Sequence, residues 1–424
     1  MSVPIADESL TLDAAVAYAW AHNPRIASTA ARLKEARSRI EQDRSRKLPQ
    51  AGVNNFVYRQ GPVIPGFGGG PPAFPPYRYN VGVFISQVLF DWGQRNHQLA
   101  VSKLESGAAE KDVDELRSQV RLSVSATFLS VLRSEELLKV ATQRRDAVAE
   151  QVRVARARFE ADVAPRFDVI RSESELANAE QEIIQARNDV ELSQAALNTV
   201  LGREVNTPVK LSYRSPADAA PPAYESTRET ALKLRPQLGA QDARIKAAER
   251  SVNARRAEQR PSISLNAAYD RPNPGGFAPQ SFRYNTGLVM SFPFLDGGLV
   301  RGRVEEAKAF LERQRADYDE LRRAVDLELR QAFLDLDEAT RRIVSAEKEV
   351  ASADEALRVA NVRYRAGVGT TVEVTDAQVS LARAGQNRAN AAFDRDFALA
   401  RIQAAVGEVG GTATGAGPAR KQGS

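Results

Sequence analysis

A chain of 424 residues that contains no cysteine has no disulfides, no thiolate nucleophile and no cysteine-bound metal. Its 59 Lys and Arg residues and 54 Asp and Glu residues are interleaved along the sequence, a pattern typical of long solvated helix faces and not of a nucleic-acid-binding patch. No run of about 18 apolar residues predicts a transmembrane helix.

The first elements in chain order end in two very long helices. We predict a short helix, a second helix that begins at a proline, two strands and a helical hairpin, at residues 12–21, 24–47, 50–58, 79–90 and 94–201. From Gln94 to Glu160 there is no proline and the only glycine is Gly107. At 1.5 Å per residue such a helix would be roughly 100 Å long. We therefore expect the long helices to pack in pairs, as in a coiled coil.

The same elements follow a second time. A linker rich in proline and alanine, residues 207–223, precedes them. They are predicted at residues 226–234, 236–259, 262–270, 284–295 and 300–406. Residues 408–424 are rich in glycine, alanine and threonine, a composition typical of a disordered tail.

The two sets of elements align with each other, which indicates a tandem duplication. Residues that match at an offset of 212 or 205 include Pro24 and Pro236, Tyr79 and Tyr284, Asp91 and Asp296, Arg158 and Arg363, and Gly202 and Gly407. The offset changes within a stretch rich in glycine and proline, where a loop tolerates an insertion. The sequence thus predicts a first structural repeat at residues 9–206 and a second at residues 224–407.

The strands alternate between apolar and polar residues. In the second strand, Val81, Val83 and Ile85 would point to one face, and Asn80 and Gly82 to the other. This pattern is typical of a strand in a transmembrane β-barrel, but a soluble hairpin packed on helices would also show it. Four strands cannot close a membrane barrel, so the first interpretation requires partner chains.

Several motifs together resemble the outer-membrane efflux (TolC) family, over residues 9–407. They are the Asn23-Pro24 pair, the strand end at residues 86–93, and the two helix turns at residues 158–169 and 363–374. The resemblance implies a fold that is mainly α with membrane β. In it, a homotrimer forms one twelve-stranded β-barrel, with four strands per chain, which is continued by a long α-helical barrel of coiled-coil hairpins.

The resemblance also implies a function and a location. The chain would be a passive exit duct in the outer membrane of a Gram-negative bacterium, in contact with outer-membrane lipid and extending into the periplasm. Its partners would be a periplasmic adaptor (membrane fusion) protein and an inner-membrane efflux pump or an ABC transporter of type I secretion.

Matched to the family pattern, the gate of the periplasmic aperture falls on the hairpin turns. Glu373 and Asp376 correspond to acidic rings that line the aperture, where three chains would bring six carboxylates around one axis. Tyr364 and Asp168 correspond to a hydrogen-bonded pair that holds the aperture closed.

The turns also depart from the family pattern. Gly369 replaces a basic residue that some members carry in the latch, and Pro165 and Arg166 are candidates to compensate for it. Asp162 replaces a turn glycine, a position at which Asp tolerates the left-handed conformation.

The adaptor-contacting tip is predicted at Val163, Gly367 and Val368, although simple packing of the tip would account equally well for the two valines.

Two other functional classes, a scaffold and an enzyme, differ from the duct in what they require of the sequence. A soluble periplasmic coiled-coil scaffold or adaptor protein would also have long hairpins, but it does not require a duplicated strand pair with a polar inner face. An enzyme is disfavoured because the sequence shows no nucleophile–base pair and no phosphate-binding loop, and His22 and His97 are too far apart for a local metal site. No catalytic residue, metal or cofactor is therefore expected.

The start of the chain lacks a basic and apolar leader, which leaves open a cytosolic protein or one whose signal peptide has been removed.

Overall fold

The computed structural model describes residues 9–59, 77–215, 223–272 and 282–407. In chain order its elements are α1 (Leu12–His22), α2 (Pro24–Ser45), β1 (Gln50–Arg59), β2 (Tyr77–Phe90), α3 (Gln94–Glu160), α4 (Arg166–Leu201), α5 (Tyr224–Leu234), α6 (Pro236–Ala257), β3 (Ser262–Pro272), β4 (Arg283–Ser291), α7 (Leu299–Arg365) and α8 (Thr371–Val406). The order helix, helix, strand, strand, helix, helix occurs twice, and α3 and α7 both have 67 residues. Among the helices of the described residues, none combines the length and the apolar character that crossing a membrane requires.

One strand is shorter than the sequence predicted. We expected the fourth strand to reach residue 295, but β4 ends at Ser291. Pro293 follows two residues later and has no N–H to donate to a strand ladder. Phe294 N donates to Phe292 O at 3.0 Å instead, which turns the chain away from the sheet. Residues 216–222 of the predicted linker and the predicted tail at residues 408–424 lie outside the described residues.

One compact unit consists of α1, α4, α5, α8 and the parts of α3 and α7 next to the hairpin turns. Its core contains an apolar stripe of the long helix α3. Val120, Val124, Phe128 and Val131 are at most 2% exposed and pack with α1 and α4. Of the corresponding residues of α7, Val325, Leu329 and Leu336 are also buried, whereas Phe333 is partly buried. The stripe is therefore part of the core in both repeats.

Within this unit, each repeat closes where the end of its second long helix meets its short first helix. Gly202 caps α4 and Gly407 caps α8, with φ of +76° and +80°. A Cβ on Gly202 would lie 2.8 Å from the carbonyl oxygen of His22, and one on Gly407 would lie 2.7 Å from Cδ of Pro236. Both the left-handed conformation and the close approach require glycine here.

The two repeats satisfy this junction with different side chains. In the first repeat, Asn23 Nδ2 donates to the carbonyl of Val200 at 2.8 Å. In the second repeat, the residue at the same position is Arg235, which is 8% exposed and donates to the carbonyl of Ala405 at 3.2 Å. The Arg235 guanidinium also lies 3.0 Å from Glu328 and 3.6 Å from Glu115. This buried ion cluster joins α3 of the first repeat to the second repeat.

The other compact unit holds the sheet and the neighbouring parts of α2, α3, α6 and α7. Its four strands are antiparallel in the order β1-β2-β3-β4, so that β2 of the first repeat pairs with β3 of the second. The pairing of β1 with β2 in the first repeat has the same register as the pairing of β3 with β4 in the second. Gln50 lies opposite Ser86, and their counterparts Ser262 and Ser291 also lie opposite each other.

One face of the sheet is apolar and exposed. A row of opposed residues, Val53, Val83, Tyr269 and Tyr284, crosses all four strands on this face. Each of these side chains is about half exposed or more, and Tyr284 is 81% exposed. The predicted alternation is confirmed, because Val83 is exposed on this face whereas Asn80, which we placed on the other, is buried.

The opposite face carries most of the polar residues of the sheet, although Phe84 and Val289 also lie on it. Asp270 lies opposite Gly82 on one side and Arg283 on the other, and it accepts a hydrogen bond from Arg283 Nε at 2.8 Å. A Cβ on Gly82 would lie 2.7 Å from Cβ of Asp270, so the strands approach closely only because this residue is glycine. Asp270 is only 6% exposed.

The long helices begin with the same turn in both repeats. Asp296 accepts hydrogen bonds from the backbone N–H groups of Gly298 and Val300, both at 2.9 Å, and these bonds lower the pKa of its carboxyl group. In the first repeat, Asp91 likewise accepts a hydrogen bond from the backbone N–H of Gly93, at 3.1 Å. Such an acceptor satisfies N–H groups that a helix start leaves without partners.

Candidate gate at the hairpin turns

The two hairpin turns have the same backbone geometry. In the first, Val163 N donates to Arg158 O at 3.0 Å, and in the second, Val368 N donates to Arg363 O at 3.1 Å. These are the bonds of a Schellman motif, which needs a left-handed residue just after the helix. That residue is Gly367, with φ of +79°, in the second turn. In the first turn it is Asp162, with φ of +55°, so the expectation that Asp adopts the left-handed conformation there is confirmed.

We expect Asp162→Gly to stabilise the protein by about 0.5 to 1 kcal/mol, because removing left-handed strain outweighs the entropy that glycine adds to the unfolded chain. The converse variant, Gly367→Asp, is the matched control. A Cβ there would meet only Arg158 Nη2, at an ordinary 3.7 Å, so strain alone should lower stability. The check is the thermal midpoint of the helical circular dichroism signal for the protein in detergent. Equal midpoints for the two variants would contradict the assignment of left-handed strain to Asp162.

The predicted aperture acids lie at the start of α8. Thr370 caps this helix, since its Oγ1 accepts from Glu373 N at 3.3 Å. The Glu373 carboxylate lies 3.3 Å from Arg363 Nε and its side chain is 44% exposed. Asp376 follows three residues later, is exposed, and has no ion-pair partner among the described residues. Residues three apart are neighbours on a helix surface, so the two carboxylates are on adjacent turns of α8.

Within one chain the structure does not join Tyr364 and Asp168. Tyr364 is 2% exposed and packs against Ala360 and Val374, and its hydroxyl has no hydrogen-bond partner among the described residues. Asp168 lies in the first turn of α4, where its own N–H donates to Pro165 O at 3.1 Å.

A different residue connects the two hairpins. Arg158, at the end of α3, donates from Nη1 to the carbonyl of Tyr364, and its guanidinium carbon lies 4.6 Å from the centroid of the Tyr364 ring. In the sequence, Arg158 and Arg363 stand out only as matching positions of the two repeats. The available signal was that an arginine precedes an aromatic residue in both turns.

The structure shows the surroundings of Gly369, which replaces a basic residue of the latch, and of Pro165 and Arg166, the two candidates to compensate for it. A Cβ on Gly369 would lie 3.0 Å from both Tyr364 N and Arg363 Cβ, so the tightness of the turn disfavours a side chain there. Pro165 is the N-cap residue of α4. Arg166 is exposed and forms no ion pair with the residues that the structure describes, so it does not replace the missing base within one chain.

Comparison with known proteins decides the family. The profile of the outer membrane efflux protein family matches residues 16–203 and 227–408, which together are most of the chain and correspond to its two repeats. The chain belongs to the outer membrane efflux protein family. The predicted resemblance and the duplicated fold are thereby confirmed, and the reading as an outer-membrane efflux channel is supported over the soluble scaffold.

Individual members are similar at low identity. The outer membrane efflux protein BepC of Brucella suis is 26% identical over 304 residues, which cover 71% of this chain and 66% of BepC. The alkaline protease secretion protein AprF of Pseudomonas aeruginosa is 22% identical over 334 residues, 75% of this chain and 67% of AprF. The crystal structure of the outer membrane protein VceC from Vibrio cholerae superposes with a TM-score of 0.81 at 19% identity, over 93% of this chain and 96% of VceC.

The predicted adaptor-contacting tip is apolar and open in this family member. Val163 is 62% exposed and Val368 is 69% exposed, while Gly367 supplies the left-handed residue between α7 and α8. Phe167, which the sequence did not single out, is 64% exposed in the first turn of α4. Within the described residues, no group of three or more His, Asp or Glu side chains is placed to hold a metal ion.

Proposed function

We propose that three chains form a passive exit duct across the outer membrane and the periplasm. The observation that carries this proposal is the sheet, which has two open edges, at β1 and β4, and an exposed apolar face. An open edge offers unpaired N–H and C=O groups, and in a hydrocarbon environment only a closed barrel satisfies them. Three sheets joined β4 to β1 would give twelve strands and leave no edge.

The repeat predicts the register of this seam. Within one chain Val83 of β2 lies opposite Tyr269 of β3. Their counterparts in the other repeat, at the offsets of 205 and 212, are Leu288 of β4 and Val57 of β1. If the seam between chains copies the pairing within a chain, Leu288 lies opposite Val57 of the neighbouring chain. Both side chains are 69% exposed in the single chain.

The chain has no cysteine, so a cysteine pair can test the seam directly. We expect the variant Val57→Cys with Leu288→Cys to form covalent dimers and trimers when oxidised, because directly opposed residues have Cβ atoms about 4.5 to 5.5 Å apart. The control is Val53→Cys with Leu288→Cys, which shifts one cysteine by four residues, roughly 13 Å along the strand. The uncrosslinked protein should have three times the 46.3 kDa chain mass in detergent. A monomer that is soluble without detergent would overturn the duct and favour the scaffold.

The helices also present surfaces that a neighbouring chain would cover. Large apolar side chains are exposed along α4 and α7. They include Phe167, Ile170, Ile184 and Leu192 on α4, and Leu327, Leu334, Val344, Val359 and Val362 on α7. Packing these helices against other chains would extend the barrel as a tunnel of coiled-coil hairpins. The exposed tip at Val163 and Val368 then docks a periplasmic adaptor, which links the duct to an inner-membrane pump or ABC transporter.

The gate of this duct is proposed at Glu373 and Asp376, with Tyr364 and Asp168 in the adjoining turns. In a trimer the two acids would form two rings around the axis, and the clustered negative charges of these carboxylates would attract cations. We expect Glu373→Ala with Asp376→Ala to weaken the block by multivalent cations in single-channel recordings.

A matched control removes two acids elsewhere on the hairpins. Glu150 pairs with Arg153, and Glu355 pairs with Arg358, at equivalent positions of the two repeats. Replacing Glu150 and Glu355 by alanine removes the same charge and should leave the block unchanged. If both double variants weaken the block equally, the effect is one of overall charge and the gate assignment fails.

The duct is proposed to act without catalysis and to leave the choice of cargo to the inner-membrane partner. A water-filled tunnel makes few specific contacts with what passes through it. The relatives differ accordingly, since BepC is an efflux protein and AprF serves secretion of a protease.

A further inference from the structure

Trp92 lies in a strained conformation at the end of the sheet where the helices begin. Its φ is +53°, a left-handed value that is a genuine outlier for a bulky residue. The equivalent residue of the second repeat is Gly297, with φ of +61°, so the turn itself requires no side chain. Strain that the other repeat avoids points to a function of the side chain.

The Trp92 side chain is held in a defined place on the surface. Its Nε1 donates to the carbonyl of Pro261 at 3.0 Å, and its ring lies edge-on to Phe90 with centroids 5.0 Å apart. The guanidinium carbon of Arg260 lies 4.7 Å from the centroid of the indole ring. Trp92 is nevertheless 44% exposed. Indole rings with a polar anchor and an apolar body are typical of membrane–water interfaces.

The charge at this end of the sheet is unbalanced toward positive. The carboxylates at this end of the sheet already have partners: Asp43 pairs with Arg46, Asp91 with Arg95, Glu258 with Arg255 and Arg303, and Asp296 accepts two backbone N–H groups. Exposed basic residues at the same end have no ion pair with any described residue. These are Lys47, Arg256, Arg260 and Arg301, which we call the basic collar.

The basic collar lies at one end of the apolar sheet face because β1 and β3 begin there and β2 and β4 end there. We propose that Arg260 of the basic collar, held over the indole ring of Trp92, binds the phosphate group of an anionic phospholipid in the leaflet on the helical side of the membrane. Arg260 keeps its guanidinium over the ring while its free N–H groups bond to phosphate oxygens, a charge-assisted arrangement. Each chain carries one such site, since Gly297 and Leu48 occupy the equivalent positions of the other repeat. This inference rests on the proposed membrane placement of the sheet.

The chain contains only two tryptophans, so the site carries its own reporter. Trp20→Phe leaves Trp92 as the only indole in the full-length protein. This variant is placed in nanodiscs made of equal parts of phosphatidylglycerol and phosphatidylcholine. In one preparation the phosphatidylglycerol is brominated near the top of its acyl chains, and in the other the phosphatidylcholine is brominated. Because the two membranes have the same headgroup composition, a difference in quenching of Trp92 measures which lipid is enriched beside it.

We expect stronger quenching when phosphatidylglycerol carries the bromine. Adding Arg260→Gln should lower this preference about fivefold, the factor that corresponds to roughly 1 kcal/mol for one basic side chain near an anionic lipid surface. Arg260→Lys, which retains the charge, should keep part of the preference. The control Arg323→Gln removes an exposed charge from the middle of α7 and should leave the preference intact.

Three results would count against the inference, and they differ in what they remove. Equal quenching by the two brominated lipids, or a preference that Arg260→Gln does not change, would overturn the phosphate site while leaving the sheet in the membrane. Quenching by neither lipid would place Trp92 away from the bilayer, and it would overturn the membrane placement together with the site.

Discussion

Replacing Gly202 by alanine is expected to destabilise the protein by about 2 to 5 kcal/mol. The left-handed conformation costs an L-residue about 1 to 2 kcal/mol, and overlap in a packed site costs about 1 to 3 kcal/mol more. The overlap is with the backbone of His22, whose carbonyl oxygen lies 2.8 Å from the position of the new Cβ. Backbone cannot rotate away as a side chain can. The junction between α1 and α4 would therefore have to open.

The measurement is the thermal midpoint in detergent at fixed protein concentration, because the midpoint of an oligomer depends on concentration. Gly107 provides the matched control. It lies inside α3, and a Cβ there would meet nothing within 4 Å. Gly107→Ala should raise stability by about 0.5 to 1 kcal/mol, the ordinary preference of a helix interior for alanine. A Gly202→Ala midpoint equal to that of the wild type would show that the junction is looser than its geometry indicates.

The second large effect is expected at Arg235. Arg235→Ala would leave Glu115 buried without its partner, since Glu115 is only 7% exposed. Removing one member of a buried ion pair costs about 3 to 5 kcal/mol, mostly because the other charge remains in a poorly solvated place. We therefore expect a lower thermal midpoint and loss of the Arg235–Glu115 ion pair between the two repeats.

A nearby exposed pair separates this effect from the loss of any positive charge. Lys233 lies 3.9 Å from Glu229 on the surface of α5, and Lys233→Ala should cost about 0 to 1 kcal/mol. Adding Glu115→Gln to Arg235→Ala should recover part of the loss, because the carboxylate that was left without its partner is then gone. If the added substitution lowers the midpoint further, the penalty does not come from the unpaired carboxylate.

Much of this fold was predictable because its signals are repeated. A long helix is specified along its whole length by the absence of proline and by spaced apolar residues, as between Gln94 and Glu160. The alternation in β2 was also legible, since every second residue from Val81 to Ile85 is apolar. The end of β4 was placed too late because Phe294 and Leu295 look like strand residues, whereas Pro293 determines where the pairing stops.

The contacts of the hairpin turns and of the sheet end could not be read in the same way. The bond from Arg158 to the Tyr364 carbonyl joins residues that are 206 apart in sequence, and no local pattern specifies such a partner. The stacking of Arg260 on Trp92 has the same character. Asn23 and Arg235 occupy equivalent positions but bind different partners, so the repeat located the junction without revealing its chemistry.

The pairing of β2 with β3 has a consequence for how the duct assembles. These strands belong to different repeats, so one seam between repeats lies inside each chain and requires no partner chain. In the proposed trimer, the other seams repeat that pairing between chains. Because the two repeats are covalently linked, β2 and β3 pair within one molecule, at the high effective concentration that a tether gives. Six separate units would have to find one another to build the same ring, whereas the fused chain reduces this to an encounter of three bodies.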